Sequence, residues 1–141
     1  FMFQISTRGD YGLLLLSELA RELREGREHT SLRAIAESKN LSLKYLGEIA
    51  TTLKKAGLIT SKEGRDGGYT LARQPEEITM IEALEILEGP VSPVRCCDIG
   101  EDKCGVTGTC TVKSTWVEAT DLVTNFLKNK TIADTLNSPS A

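Results

Sequence analysis

Four cysteines fall within fifteen residues of this chain, at Cys96, Cys97, Cys104 and Cys110, in the spacing CC-x6-C-x5-C. Cysteine thiolate is a soft ligand for iron–sulfur clusters and zinc and the nucleophile of disulfide exchange, so the segment predicts a metal centre or a thiol switch. Structural disulfides rarely persist in a cytosol, and a stretch with little apolar content gains order when a metal ties it down. Adjacent residues seldom bind one metal together. One of Cys96 and Cys97 is therefore expected as a ligand and the other as a spare thiol.

A second set of residues suits a polyanion. Residues 31–73 hold eight basic side chains (Arg33, Lys39, Lys44, Lys54, Lys55, Lys62, Arg65, Arg73) against four acidic ones (Glu37, Glu48, Glu63, Asp66), a local +4 that leaves −7 for the rest of a chain at −3. A basic segment on an acidic protein is the electrostatic footprint of nucleic-acid binding, whatever the overall pI of about 5.3 suggests. No apolar run approaches the roughly 20 residues that span a bilayer. The opening FMFQISTRGDYG has no basic segment leading into an apolar run and a cleavage site, which predicts a cytoplasmic protein without membrane partners.

The elements that must position these groups follow from apolar periodicity. Tyr11, Leu14, Leu15, Leu19, Ala20 and Leu23 recur at helical spacing from Thr7 to about Glu25, with Ser6 or Thr7 as cap. A short helix follows with Leu32, Ile35 and Ala36 on one face, and Asn40 suits its left-handed end. Ser42 then caps a helix whose inner stripe is Leu43, Leu46, Ile49, Ala50 and Leu53. Its outer side carries Lys44, Tyr45, Gly47, Glu48, Thr51, Lys54 and Lys55, and Gly57 closes it. Two short helices joined by a tight turn, the second cationic outside, make a helix-turn-helix. Leu58–Ser61 and Tyr69–Ala72 read as strands around the tip EGRDGG, which makes a wing. Thr79 through Glu82 matches a capping box opening a fourth helix to about Glu88, stopped by Gly89, Pro90 and Pro93.

After the cysteines, Val112, Trp116, Ala119, Val123 and Phe126 recur at steps of four and three, the spacing of a seam against a partner helix. Thr131–Asp134 starts a last helical turn. The expected fold is mainly α with a small β-hairpin wing: a winged helix-turn-helix domain over 1–89, a cysteine-containing sensor loop over 90–110, a long dimerisation helix with a short terminal helix over 111–136, and a disordered tail over 137–141.

A recognition helix lays its N-terminal turn in the major groove, where side chains meet base edges and helix-end N–H groups meet phosphates. That turn offers Ser42, Lys44 and Tyr45, and Glu48 and Thr51 follow on the outer side. Lys44 suits guanine or phosphate, Tyr45 the sugar-phosphate backbone, and Glu48 cytosine. At the wing, Lys62 and Arg65 are the candidate contacts, Arg65 as a minor-groove cation.

The runs STRGDYGLLLLSELA, SLRAIAESKNLSLKYLGEIATTLKKAGLITSKEGRDGGYTLAR and VKSTWVEATDLVTNFLKNKTIADTL, with the spaced cysteines between the last two, resemble the Rrf-two (Rrf2) family of winged helix-turn-helix regulators, of IscR, NsrR and CymR type. The resemblance covers nearly the whole chain. It implies a homodimer with crossing C-terminal helices, a palindromic double-stranded DNA operator, and an iron–sulfur cluster, [2Fe-2S] or [4Fe-4S], held by three cysteines. Cys104 and Cys110 match the second and third ligands. Cys96 matches the first by its preceding PV-x-C register, and Cys97 by loop length. The IscR type places a histidine three residues after the third cysteine, where this chain has Lys113. The NsrR type uses a carboxylate from the partner's first helix, and Asp10 is at the matching position. Members often carry Arg just before the glycine that opens the wing tip. Here Glu63 stands there, with Arg65 two positions on, and the resemblance leaves open whether Arg65 substitutes.

Other readings of the cysteines are a structural zinc site, a thiol switch pairing Cys96 or Cys97 with Cys104 or Cys110, and a regulator controlled by a protein partner, as the CymR type is. A dimeric protein-interaction module is the rival from outside DNA binding. Enzymatic chemistry finds no support, because the sole histidine, His29, has no paired nucleophile and no phosphate-binding glycine loop is present.

Overall fold

The computed structural model describes residues 5–90 and 110–137. Cys96, Cys97 and Cys104, most of the expected 90–110 loop, and the tail beyond Asn137 lie outside the described residues. The elements are α1 (Thr7–Arg24), α2 (Leu32–Lys39), α3 (Leu43–Lys55), β1 (Ile59–Lys62), β2 (Gly68–Leu71), a 3-10 turn (Pro75–Glu77), α4 (Met80–Glu88), α5 (Lys113–Lys128) and α6 (Ile132–Thr135). This is a mainly helical chain with a two-stranded antiparallel hairpin, the winged-helix class expected.

Side-chain caps mark where the helices begin. Ser6, Ser31, Ser42 and Thr79 each accept a hydrogen bond from the backbone N–H three residues on, which satisfies one of the donors a helix N-terminus leaves unpaired. Asn40 ends α2 in the left-handed conformation, φ 55°. The reciprocal half of the box expected at Thr79 is absent. The Glu82 carboxylate instead takes Arg73 Nη1 at 2.5 Å, while Arg73 Nη2 donates to the Glu77 carbonyl. A complete box forms at Thr131, whose hydroxyl and N–H engage the Asp134 backbone and carboxylate.

One core joins all of this. Leu15, Leu16, Leu46, Ile49, Ala50, Leu53, Leu58, Ile78 and Ile132 are fully buried in a single cluster. Leu43, expected in the inner stripe of α3, is exposed instead. It is the first residue after the cap, ahead of the turn at which Leu46 meets the core. In α1 the inner face is Leu15, Leu16, Leu19 and Ala20, with Leu16 added to the expected stripe and Tyr11, Leu14 and Leu23 half-buried. Gly12 lets α4 approach, since a Cβ there would stand 2.2 Å from Leu87 Cδ1.

The C-terminal end returns to this core. The Met80 N–H donates to the Lys130 carbonyl at 2.8 Å, the Ile132 N–H to the Ile78 carbonyl at 2.9 Å, and the Ser17 and Thr135 hydroxyls pair at 2.8 Å. Thus α6 is stitched to α1 and to the entry of α4.

Glu18 is the buried acid of α1. Its carboxylate takes Arg21 at 2.6 Å and Lys39, the last residue of α2, at 2.9 Å. Burial pushes the carboxyl up, but the hydrogen bonds from Lys39 and Arg21 outweigh it and hold it below its ordinary value of 4.5. A depressed carboxyl contributes stability above its unfolded value, and the contribution is lost as pH falls through the folded one. The urea midpoint is therefore expected to drop as pH falls below 4.5. Glu18→Gln should lower stability at neutral pH by about 1–2 kcal/mol and flatten that acid dependence. An unchanged pH profile would remove Glu18 from the account.

Candidate nucleic-acid interface

Helices α2 and α3 and the β1–β2 hairpin carry the basic segment, and local geometry sorts its cations into two groups. Lys39 and Arg73 are committed internally, to Glu18 and Glu82. Arg33, Lys44, Lys55, Lys62 and Arg65 are exposed and form no ion pair among the described residues. Lys54 Nζ donates to Ser61 Oγ at 2.6 Å, which sets the outer side of β1 beside that of α3.

At the start of α3 the Ser42 oxygen accepts from the Tyr45 N–H at 3.3 Å, leaving its own hydroxyl proton to donate outward. Lys44, Glu48 and Thr51 are exposed, and the Thr51 hydroxyl donates back to the Gly47 carbonyl at 2.9 Å. Tyr45 departs from its expected outward place. It is half-buried and meets Tyr11 edge to face, ring centroids 5.8 Å apart, because the ring gains more by covering α1 than by standing in water.

The hairpin is held at its base as well as in its ladder. Ile59 pairs with Leu71 and Lys62 with Gly68. Thr30, in the loop before α2, exchanges two backbone hydrogen bonds with Tyr69, at 2.9 and 2.8 Å. The wing is thereby fastened to the start of the helix-turn-helix.

One residue of this region has no counterpart in the sequence reading, and a second was named there without a role. Arg8 lies in the first turn of α1, where the helix dipole disfavours a cation. Its Nε donates to the Leu87 carbonyl at 3.1 Å and its Nη2 to Thr52 Oγ1, on α3, at 2.6 Å. The dipole mismatch was the available signal. Arg33, exposed on α2, was counted in the basic segment and given no role of its own.

Helix α5 has no buried residue. Of the expected seam, Val112 and Phe126 are exposed and Trp116, Ala119 and Val123 half-buried, while Val117 and Leu122, outside the expected pattern, are exposed as well; Leu122 reaches 68%. Cys110, a free half-buried thiol, opens a shallow cleft of about 590 Å³ along α5 with Val117, Asp121 and Leu122. Asp10 is exposed in the first turn of α1. Among the described residues no three His, Cys, Asp or Glu side chains are gathered as a metal site. No helix of the described residues is long and apolar enough to cross a membrane.

A family model named Rrf2 and described as an iron-dependent transcriptional regulator matches residues 5–138. The chain belongs to the Rrf2 family. Among its relatives, the HTH-type transcriptional regulator CymR of Bacillus subtilis (strain 168) is 37% identical over 131 residues, which span 93% of this chain and 88% of that protein. The solved structure of CymR (YrzC), described as the global cysteine regulator of B. subtilis, superimposes with a TM-score of 0.82 at 36% identity, covering 98% of this chain and 99% of that one. The structure of T. potens IscR superimposes with a TM-score of 0.77 at 32% identity, covering 96% and 87%. These Rrf2 relatives are transcription regulators, so this chain is a DNA-binding transcription regulator and not an enzyme.

Proposed function

We propose that this Rrf2 regulator binds a palindromic operator as a homodimer, through α3 and the wing, and takes its signal through the cysteines between α4 and α5. The observation that carries this reading is the set of exposed cations on α2, α3 and the wing that form no ion pair among the described residues, together with the exposed apolar side chains of α5. Residues 1–89 serve as the reading head, 90–110 as the sensor and 111–136 as the coupling between copies. Ser42, Lys44, Glu48 and Thr51 face the major groove, Lys62 and Arg65 the wing's contacts, and Tyr45 supports the helix from behind.

Lys44→Ala is expected to weaken binding to a duplex selected from a random library by roughly 1–3 kcal/mol. In a gel-shift titration against salt, the loss of a phosphate contact lowers the slope by about one. Unaltered affinity removes Lys44 from the interface. Leu122→Glu should leave a monomer by light scattering, and an intact dimer would place the contact elsewhere.

An iron–sulfur cluster is the first reading of the sensor. Cys96 or Cys97, Cys104 and Cys110 would hold it, with Asp10 of the second copy as a fourth donor. The thiolate set suits iron, and the family model's description as iron-dependent supports it. One thiol of that set, Cys110, lies half-buried at the start of α5, where a tie would bear on the helix between copies. A cluster, when bound, supplies a centre that reacts with oxygen or nitric oxide. A second reading, a cluster-free thiol regulator, is favoured by the 37% identity to CymR. An ultraviolet–visible spectrum of anaerobically purified protein, with iron and sulfide analysis, separates them. Colour lost in Cys104→Ala supports the cluster. Iron-free protein whose operator affinity changes on oxidation supports the thiol switch, and iron-free protein indifferent to oxidation sinks both.

A further inference from the structure

Arg8 joins three helices through one planar side chain. Its Nη2 meets Thr52 on α3, and the Thr52 hydroxyl donates onward to the Glu48 carbonyl at 3.2 Å, one turn nearer the end of α3 assigned to the groove. Its Nε meets the carbonyl of Leu87, near the end of α4. The same end of α4 is tied to α1 twice more. The Ser6 N–H donates to the Glu88 carboxylate at 2.5 Å, and Leu87 fills the space left by the absent Cβ of Gly12. Arg8 itself forms no ion pair among the described residues, so its charge serves two neutral oxygens. Guanidinium suits that use, since its fixed fork loses little freedom in holding two acceptors.

We infer that Arg8 is a positioning residue for base discrimination: it fixes the angle of α3 to α1 and α4 without touching DNA, and links that angle to the end of α4, from which the chain runs on to the cysteines. The inference rests on α3 being the helix that enters the groove. A recognition helix reads sequence only if its side chains reach base edges within hydrogen-bond distance, whereas phosphate contacts by flexible lysines tolerate small tilts. Loosening Arg8 therefore costs discrimination before it costs general affinity.

The test compares fluorescence-anisotropy affinities for a duplex selected from a random library by the wild-type protein and for a scrambled duplex, each over a salt series. Arg8→Gln is expected to lower affinity for the selected duplex about tenfold, with scrambled-duplex affinity and both salt slopes unchanged. Arg8→Lys, which keeps one donor, should recover part of the preference. Thr52→Val removes only the α3 end of the link and decides the matter if Arg8→Gln fails to fold, since it should show the same loss. A fall on both duplexes with a slope reduced by about one makes Arg8 a phosphate contact and overturns the proposal. So does an unchanged preference in Arg8→Gln or Thr52→Val. Ser17→Ala, which breaks the α1–α6 hydroxyl pair, controls for general destabilisation and should leave the preference intact. Lys44→Ala reads the underlying assignment separately, losing affinity when α3 meets DNA and none when it does not.

Discussion

Gly68→Ala is expected to destabilise the protein by roughly 2–6 kcal/mol and to cripple operator binding along with it. Gly68 opens β2 with φ +146°, a conformation L side chains rarely adopt, and a Cβ there would stand 2.5 Å from both the carbonyl carbon and the oxygen of Thr30. Those are backbone atoms and cannot swing aside. Strain of this kind costs about 1–3 kcal/mol. Relieving the clash parts the Thr30–Tyr69 bridge, whose two hydrogen bonds contribute about 0.5–1.5 kcal/mol each. The wing then loses its attachment to the loop before α2, and Lys62 and Arg65 lose their fixed place. Gly64→Ala is the control. Its φ is also positive, +105°, but nothing lies within 4 Å of the new methyl, so it should cost only the backbone strain. Urea unfolding of both variants checks the difference, and equal midpoints would show that the bridge contributes nothing.

Ile132→Ala should cost about 2–5 kcal/mol, the range for truncating a fully buried aliphatic side chain. Ile132 is fully buried in the cluster formed by α1, α3 and α4, although it follows the whole length of α5 in sequence. Leu122→Ala, by contrast, removes a side chain 68% exposed in one chain, so its cost should fall on the association of two copies and leave the unfolding free energy of the separated chain within about 0.5 kcal/mol of wild type. If Ile132→Ala were equally silent, α6 would be a passive appendage instead of part of the core.

Much of this was legible in the residues. Ser42 and Asn40 bracket the turn of the helix-turn-helix because a hydroxyl cap and a left-handed amide have few other uses at such spacing. The glycines of the tip foretold the hairpin. Illegible were the relations between elements distant in sequence. Glu18 sits in an apolar stripe as a charged residue, and nothing local says that its partner, Lys39, waits at the end of the next helix. The +4 of the basic segment counted Lys39 and Arg73, which the fold spends on Glu18 and Glu82. Tyr45 was placed outward by period alone, and only the arrival of Tyr11 turns it in. Arg8 was passed over; its place in the first turn of α1, against the helix dipole, was the one local sign, and it points to neither Thr52 nor Leu87. Along α5 the steps of four and three picked out Val112 and Phe126, which are exposed, but passed over the more exposed Leu122, since one helix offers several stripes until a neighbour selects among them.

Under the proposed dimer, the stitching of α6 bears on how far apart two half-sites would lie. A rod whose end is bolted to the body beneath it cannot turn on a swivel, so when two such rods cross, each body's heading follows from the crossing. An operator lengthened by one base pair swings one half-site about 35° around the duplex axis relative to the other. If two copies cross along α5 as proposed, the described residues at the α6 end offer no joint with which to follow, and one body is expected to let go.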